Sequence, residues 1–158
     1  MAAASRPPLH LQYWDIDHLP GVSAAYRQQL RDCGIHNTRQ LLSATATPQK
    51  QQALAGQLQL HWHHVAKWSA LANLARIPSV GDRYCGLLLH AGITSVEQLA
   101  QLPPQQVYRQ VLRLNVATFQ RKDLCPSLED VLLWAQQAKL IESAIQARSL
   151  NRGTKTFP

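Results

Sequence analysis

The chain has 158 residues, 46% of them hydrophobic and only 16% charged. That is room for one compact domain or two very small ones, and it is too apolar for a disordered tail. The 16 Lys and Arg outnumber the 9 Asp and Glu to leave a net charge of +7, which makes polyanions plausible partners and speaks equally to solubility.

The first ten residues, MAAASRPPLH, carry no apolar stretch behind Arg6 and do not read as a secretory signal. No run approaches the ~18 apolar residues of a membrane span. Cys33, Cys85 and Cys125 are an odd number without C-x-x-C spacing, which fits free thiols in a reducing compartment better than a disulfide framework. A cytoplasmic protein without a membrane span is expected.

In chain order, residues 1–14 read as an N-terminal extension to a domain spanning 15–146. Leu19-Pro20 ends one element, because the residue before proline is pushed out of the α region, and Gly21 permits a tight turn. A helix follows with Val22, Ala25, Tyr26, Leu30 and Cys33 on one stripe. Gly34 stands where a helix takes a left-handed C-terminal residue. Asn37 and Gln40 can cap the next helix, and further starts are marked at Thr47-Pro48, Pro103-Pro104 and Ser127. The pair Thr94 and Glu97 has the spacing of a capping box. No alternating strand pattern survives beyond a few residues, so the fold class is all-α. The basic tail, residues 147–158, is expected to be flexible.

Sliding the chain by 58 positions lays 19–42 over 77–100 and matches Pro20 with Pro78, Val22 with Val80, Tyr26 with Tyr84 and Leu30 with Leu88. Gly34, Ile35, Gln40 and Leu41 match Gly92, Ile93, Gln98 and Leu99 in the same register. These identities fall on turn and apolar positions, the mark of an internal repeat. A second correspondence, VAKWSALANL at 65–74 with VLLWAQQAKL at 131–140, comes at an offset of 66. Two units result, about 17–75 and 76–140. The first hairpin has too little chain before it for a packing helix of its own. The C-terminal helix of Trp134 is therefore expected to fold back beside residues 18–26, giving a pseudo-two-fold bundle.

An apolar residue, a glycine turn, a helix with small and apolar residues at fixed spacing and then Gly-Ile resembles the helix-hairpin-helix motif. In tandem the pair resembles the double helix-hairpin-helix domain of DNA repair, polymerase and topoisomerase proteins. The ending Pro126-Ser127-Leu128, Val131 and Trp134 is similar to that of a family of bacterial and cyanobacterial proteins known only as a domain of unknown function, over residues 15 to about 142. The resemblance implies a tandem helix-hairpin-helix fold. It implies a turn whose N–H groups, at a helix N-terminus, hold a phosphate and read no bases. Nucleic-acid-binding relatives tend to show apolar-x-Gly-apolar-Gly. Here the first hairpin has Ser23 at the second glycine position, and the second has Ser79 at the first and keeps Gly81.

The candidate nucleic-acid-binding residues are therefore Gly21, Val22 and Ser23 with Arg27, joined by Lys50, Lys67 and Arg76 from a stretch without carboxylates between Asp32 and Asp82. Gly81 and Arg83 form the second, weaker candidate, because Asp82 beside them repels a phosphate. A similar acid-free stretch between Glu97 and Asp123 holds Arg109, Arg113, Arg121 and Lys122. The expected partner is DNA or RNA backbone; the alternative is a scaffold that binds an acidic protein partner.

HWHH at 61–64 places His61 and His64 on one helical face, but no nearby Cys, Asp or Glu completes a metal set. His63 and Trp62 are free to touch a partner instead, as is Trp14, whereas Trp68 and Trp134 recur on apolar stripes and belong to the core. No nucleophile elbow, phosphate loop, zinc-protease helix or paired carboxylates in a cleft occur. No enzyme activity, metal or cofactor is expected.

Overall fold

The computed structural model describes residues 10–119 and 125–153. A 3₁₀ turn at Ile16–His18 leads into α1 (Ala24–Asp32), α2 (Thr38–Ala44), α3 (Pro48–Leu58) and α4 (Trp62–Ala75). Then come α5 (Gly81–His90), α6 (Val96–Gln101), α7 (Pro104–Leu114), a π-helical turn at Asn115–Phe119 and α8 (Leu128–Gly153). The described residues are helical, with a lone bridge between Asp15 and Asn37 and no strand.

The repeat is visible in the local geometry. Gly34 and Gly92 both take positive φ, +84° and +94°, and in each case the next residue closes back on the helix. The Ile35 N–H donates to Leu30 O and the Ile93 N–H to Leu88 O, both at 2.9 Å, the 6→1 bond of a Schellman ending. The following helices are capped in the same way: Asn37 Oδ1 accepts from the Gln40 N–H at 2.9 Å, and Ser95 Oγ from the Gln98 N–H at 3.1 Å. Both glutamines reach back, to the His36 N–H at 2.7 Å and the Thr94 N–H at 2.9 Å. The expected Thr94–Glu97 box thus sits one residue later, on Ser95 and Gln98. That register leaves Val96 and Leu99 buried, as Thr38 and Leu41 are in the first unit. The starts marked at Thr47, Pro103-Pro104 and Ser127 hold: Thr47 Oγ1 accepts from the Lys50 N–H, and Ser127 and Asp130 cap each other reciprocally.

Packing repeats as well. The fourth helix of each set of four packs on the second and third: α4 on α2 and α3, α8 on α6 and α7. Trp68 on α4 and Trp134 on α8 are buried, and each ring meets the tyrosine of its own unit, Tyr26 at 5.5 Å and Tyr84 at 5.1 Å. This corrects the expected fold-back. Trp134 closes the second hairpin, donating from Nε1 to Ser79 O at 3.2 Å, while α4 closes the first. A helix need not precede its hairpin to pack on it, since α4 returns from 40 residues downstream.

The ends also differ from expectation. The N-terminal extension is tied in: the Trp14 N–H and C=O pair with Thr38 Oγ1 and the Thr38 N–H at 2.9 and 2.8 Å, and the Gln12 N–H donates to Arg76 O. The helix α8 runs through Gly153, so the first part of the expected flexible tail is helical; residues 1–9 and 154–158 lie outside the described residues, as do Arg121 and Lys122. Among the described residues no helix is long and apolar enough to cross a membrane.

Candidate nucleic-acid interface at the first hairpin turn

The turn before α1 is built by sequence. Leu19 and Val22 anchor it in the core, and between them Gly21 takes φ +76°, a left-handed conformation that a side chain resists. Ser23 is the N-cap, its Oγ accepting from the Tyr26 N–H at 3.3 Å. Among the described residues the N–H groups of Gly21, Val22 and Ser23 donate to no acceptor. They stand at the positive end of the α1 dipole.

Two cations converge on this turn. A Cβ built on Gly21 would lie 3.9 Å from Lys67 Nζ, which α4 carries in from behind the hairpin. Arg27, half-buried one turn into α1, holds Nη2 3.4 Å from Leu19 O, while its Nε is buried without a partner. Five of the nine residues named from the sequence, Gly21, Val22, Ser23, Arg27 and Lys67, are thus brought together, Val22 by its backbone alone because its side chain is buried.

The other four lie elsewhere. Lys50 is at the α2–α3 junction, donating to Ser43 O at 3.4 Å. Arg76 is half-buried after α4 with Nε on Asn73 O at 3.3 Å, and burial lowers its hold on its proton against the pull of Tyr13 and Glu142. Gly81 is buried, and a Cβ on it would meet the Trp14 ring at 3.1 Å. Arg83 is exposed and lies over the Tyr84 ring at 5.0 Å.

The second turn differs from the first at each equivalent donor. The Ser79 N–H donates to Gln137 Oε1 at 3.1 Å, and those of Val80 and Gly81 to Ile77 O at 3.0 and 2.9 Å. The counterparts of Arg27 and Lys67 are not cations there, since Cys85 stands where the first unit has Arg27 and Leu133 where it has Lys67. Asp82, expected to repel a phosphate there, pairs with His18 Nδ1 at 3.3 Å. The role of Gln137 left no trace in the sequence, because Leu71 occupies the matching place on α4. Trp14, expected to be free for a partner, is instead seated, with its ring against Gly81 and its Nε1 donating to Ala75 O at 3.0 Å.

Acidic groups near the first hairpin are engaged. Arg31 pairs with Asp17 and lies 3.8 Å from Asp15, and its hydrogen bond to Asp17 lowers that carboxyl's pKa. The three thiols are free, Cys33 exposed and Cys85 buried. No group of three metal-ligating side chains occurs among the described residues. His61 instead caps α4, its Nδ1 accepting from the His63 N–H at 3.3 Å.

No curated protein and no solved structure gives a significant match. Residues 20–141, from the first hairpin turn to Ile141 on α8, match one family over most of the chain, and the chain belongs to it: Domain of unknown function (DUF4332).

Proposed function

We propose that this domain is a non-catalytic module that holds a nucleic-acid backbone without sequence preference, and that its two turn-helix segments are a tandem helix-hairpin-helix pair of which the first is the working member. The observation that carries this reading is the contrast between the turns. The N–H groups of Gly21, Val22 and Ser23 are free beside Lys67, whereas those of Ser79, Val80 and Gly81 are spent inside the protein. Free N–H groups at a helix start with an ammonium alongside suit a phosphate oxygen and offer nothing that distinguishes one base from another.

The test is fluorescence anisotropy of labelled oligonucleotides across a salt series. Binding falls with salt on a slope set by about two or three phosphate contacts. Gly21→Val and Lys67→Ala each weaken it about tenfold or more. Gly92→Ala controls for backbone strain, since Gly92 has a similar φ on an open surface, and leaves binding unchanged. Equal binding by wild type and both site variants would refute the reading.

A protein scaffold is the second reading, favoured by Leu132, Leu133 and Leu140, which stand exposed along α8. It predicts a salt-tolerant partner that α8 variants lose and Gly21→Val retains.

A further inference from the structure

Trp62 is 44% exposed at the first position of α4, although Trp68 and Trp134 are buried. It does not stand alone. The His63 ring lies 4.1 Å from it and 4.3 Å from the His61 ring, centroid to centroid, with the planes tilted by 47° and 34°, so three rings cluster at the head of the helix. His63 and Lys67 are four residues apart on α4, hence neighbours on its surface with their Cα atoms about 6 Å apart along the axis. Lys67 in turn reaches the Gly21 turn. A ring platform and a backbone site therefore adjoin, inside the stretch that holds no carboxylate from Cys33 to Gly81.

We propose that the cluster of His61, Trp62 and His63 receives an unpaired base on the exposed Trp62 ring, so that the occupant of the first turn is a single-stranded nucleic acid. The inference rests on the reading of that turn as a phosphate site and goes beyond it in naming the strand state. Every base has a π-face, so stacking adds affinity without sequence preference, but in a duplex both faces of a base are already covered by its neighbours. Rings that already pack against one another lose little freedom when a base joins them.

The experiment compares oligomers of about 12 nucleotides by anisotropy: thymidine DNA, uridine RNA, a duplex, and an abasic strand that keeps the sugar-phosphate chain. Both single strands bind about five- to tenfold tighter than the duplex and the abasic strand; the DNA and RNA arms identify the natural sugar. Trp62→Ala removes that margin on thymidine and uridine strands and leaves abasic binding as it was. Trp62→Phe restores most of it, which a loss of fold would not allow. Duplex binding as tight as single-strand binding, or a Trp62→Ala protein that equals wild type on thymidine, overturns the stacking site while leaving the phosphate site standing. If Gly21→Val also fails to weaken abasic binding, the phosphate site falls with it.

Discussion

Two glycines with left-handed backbone show how one residue type serves two purposes. Gly92 is exposed with nothing within 4 Å of a built Cβ, so Gly92→Ala costs only the conformational strain, about 1–2 kcal/mol. At Gly81 the added methyl would also press on the Trp14 ring at 3.1 Å, an overpacking penalty of about 1–3 kcal/mol more. Thermal melts of the two variants should order them, with Gly81→Ala melting lower. Equal melting points would mean that Trp14 yields without cost. The sequence could show that Gly81 sits at a repeat position, and from that alone it resembled a phosphate-loop glycine. What it could not show was the indole against it, since a contact across the two units has no local pattern.

Cys85 is a second residue whose setting decides its chemistry. Burial pushes its thiol up to about 12 from an ordinary 9.0. The native state keeps the proton that the unfolded chain loses above pH 9, so this contribution to stability is whole below 9 and is lost as pH rises toward 12. Each pH unit in that window should remove about 1.4 kcal/mol. Denaturant titrations of wild type and Cys85→Ala at several pH values check this through their difference. A difference that stays constant above pH 9 would mean that the thiol ionises in the fold.

At the scale of elements, caps decided where helices begin, and the sequence was legible to within one residue. Thr94 and Glu97 match the capping-box letters, but so do Ser95 and Gln98, and letters alone do not choose. The fold makes the choice: Ser95 Oγ accepts the Gln98 N–H, and Val96 and Leu99 are buried in the helix that follows. Asn37→Ala and Ser95→Ala should each cost about 1 kcal/mol. Glu97→Ala should cost within about 0.5 kcal/mol, as exposed surface changes do. Chemical denaturation measures both, and a Glu97→Ala loss matching that of Ser95→Ala would restore the earlier register. The same limit applied to the turns. The degenerate glycines of both hairpins were readable, yet the property that separates them, whether their N–H groups are occupied, rests on the turn's own backbone closing on Ile77 O and on Gln137 from 58 residues away.

At the scale of the whole molecule, the joint between the two units is where the sequence was least informative. The apolar stripes and their offset of 58 fix what each unit looks like, but not which surface meets which, and the expected crossing of α8 to the first hairpin followed from chain order alone. The actual joint is the continuous passage from α4 to α5, with the N-terminal segment laid across it. Trp14 spans it by itself. Its backbone pairs with Thr38 in the first unit, its Nε1 donates to Ala75 O at 3.0 Å at the end of α4, and its ring covers Gly81 at the start of α5. Trp14→Ala removes the indole from under both units and strands the Ala75 carbonyl, a loss of about 3 kcal/mol or more. For a chain of this size that is a fall in melting temperature of roughly 6–12 °C. Trp62→Ala, which removes the same mass from an exposed position, should shift the melt by no more than about 2 °C. If Trp14 were the freely displayed side chain that its place ahead of the repeat suggests, the two variants would melt alike, and the N-terminal segment would be an extension of the domain and no part of what joins its halves.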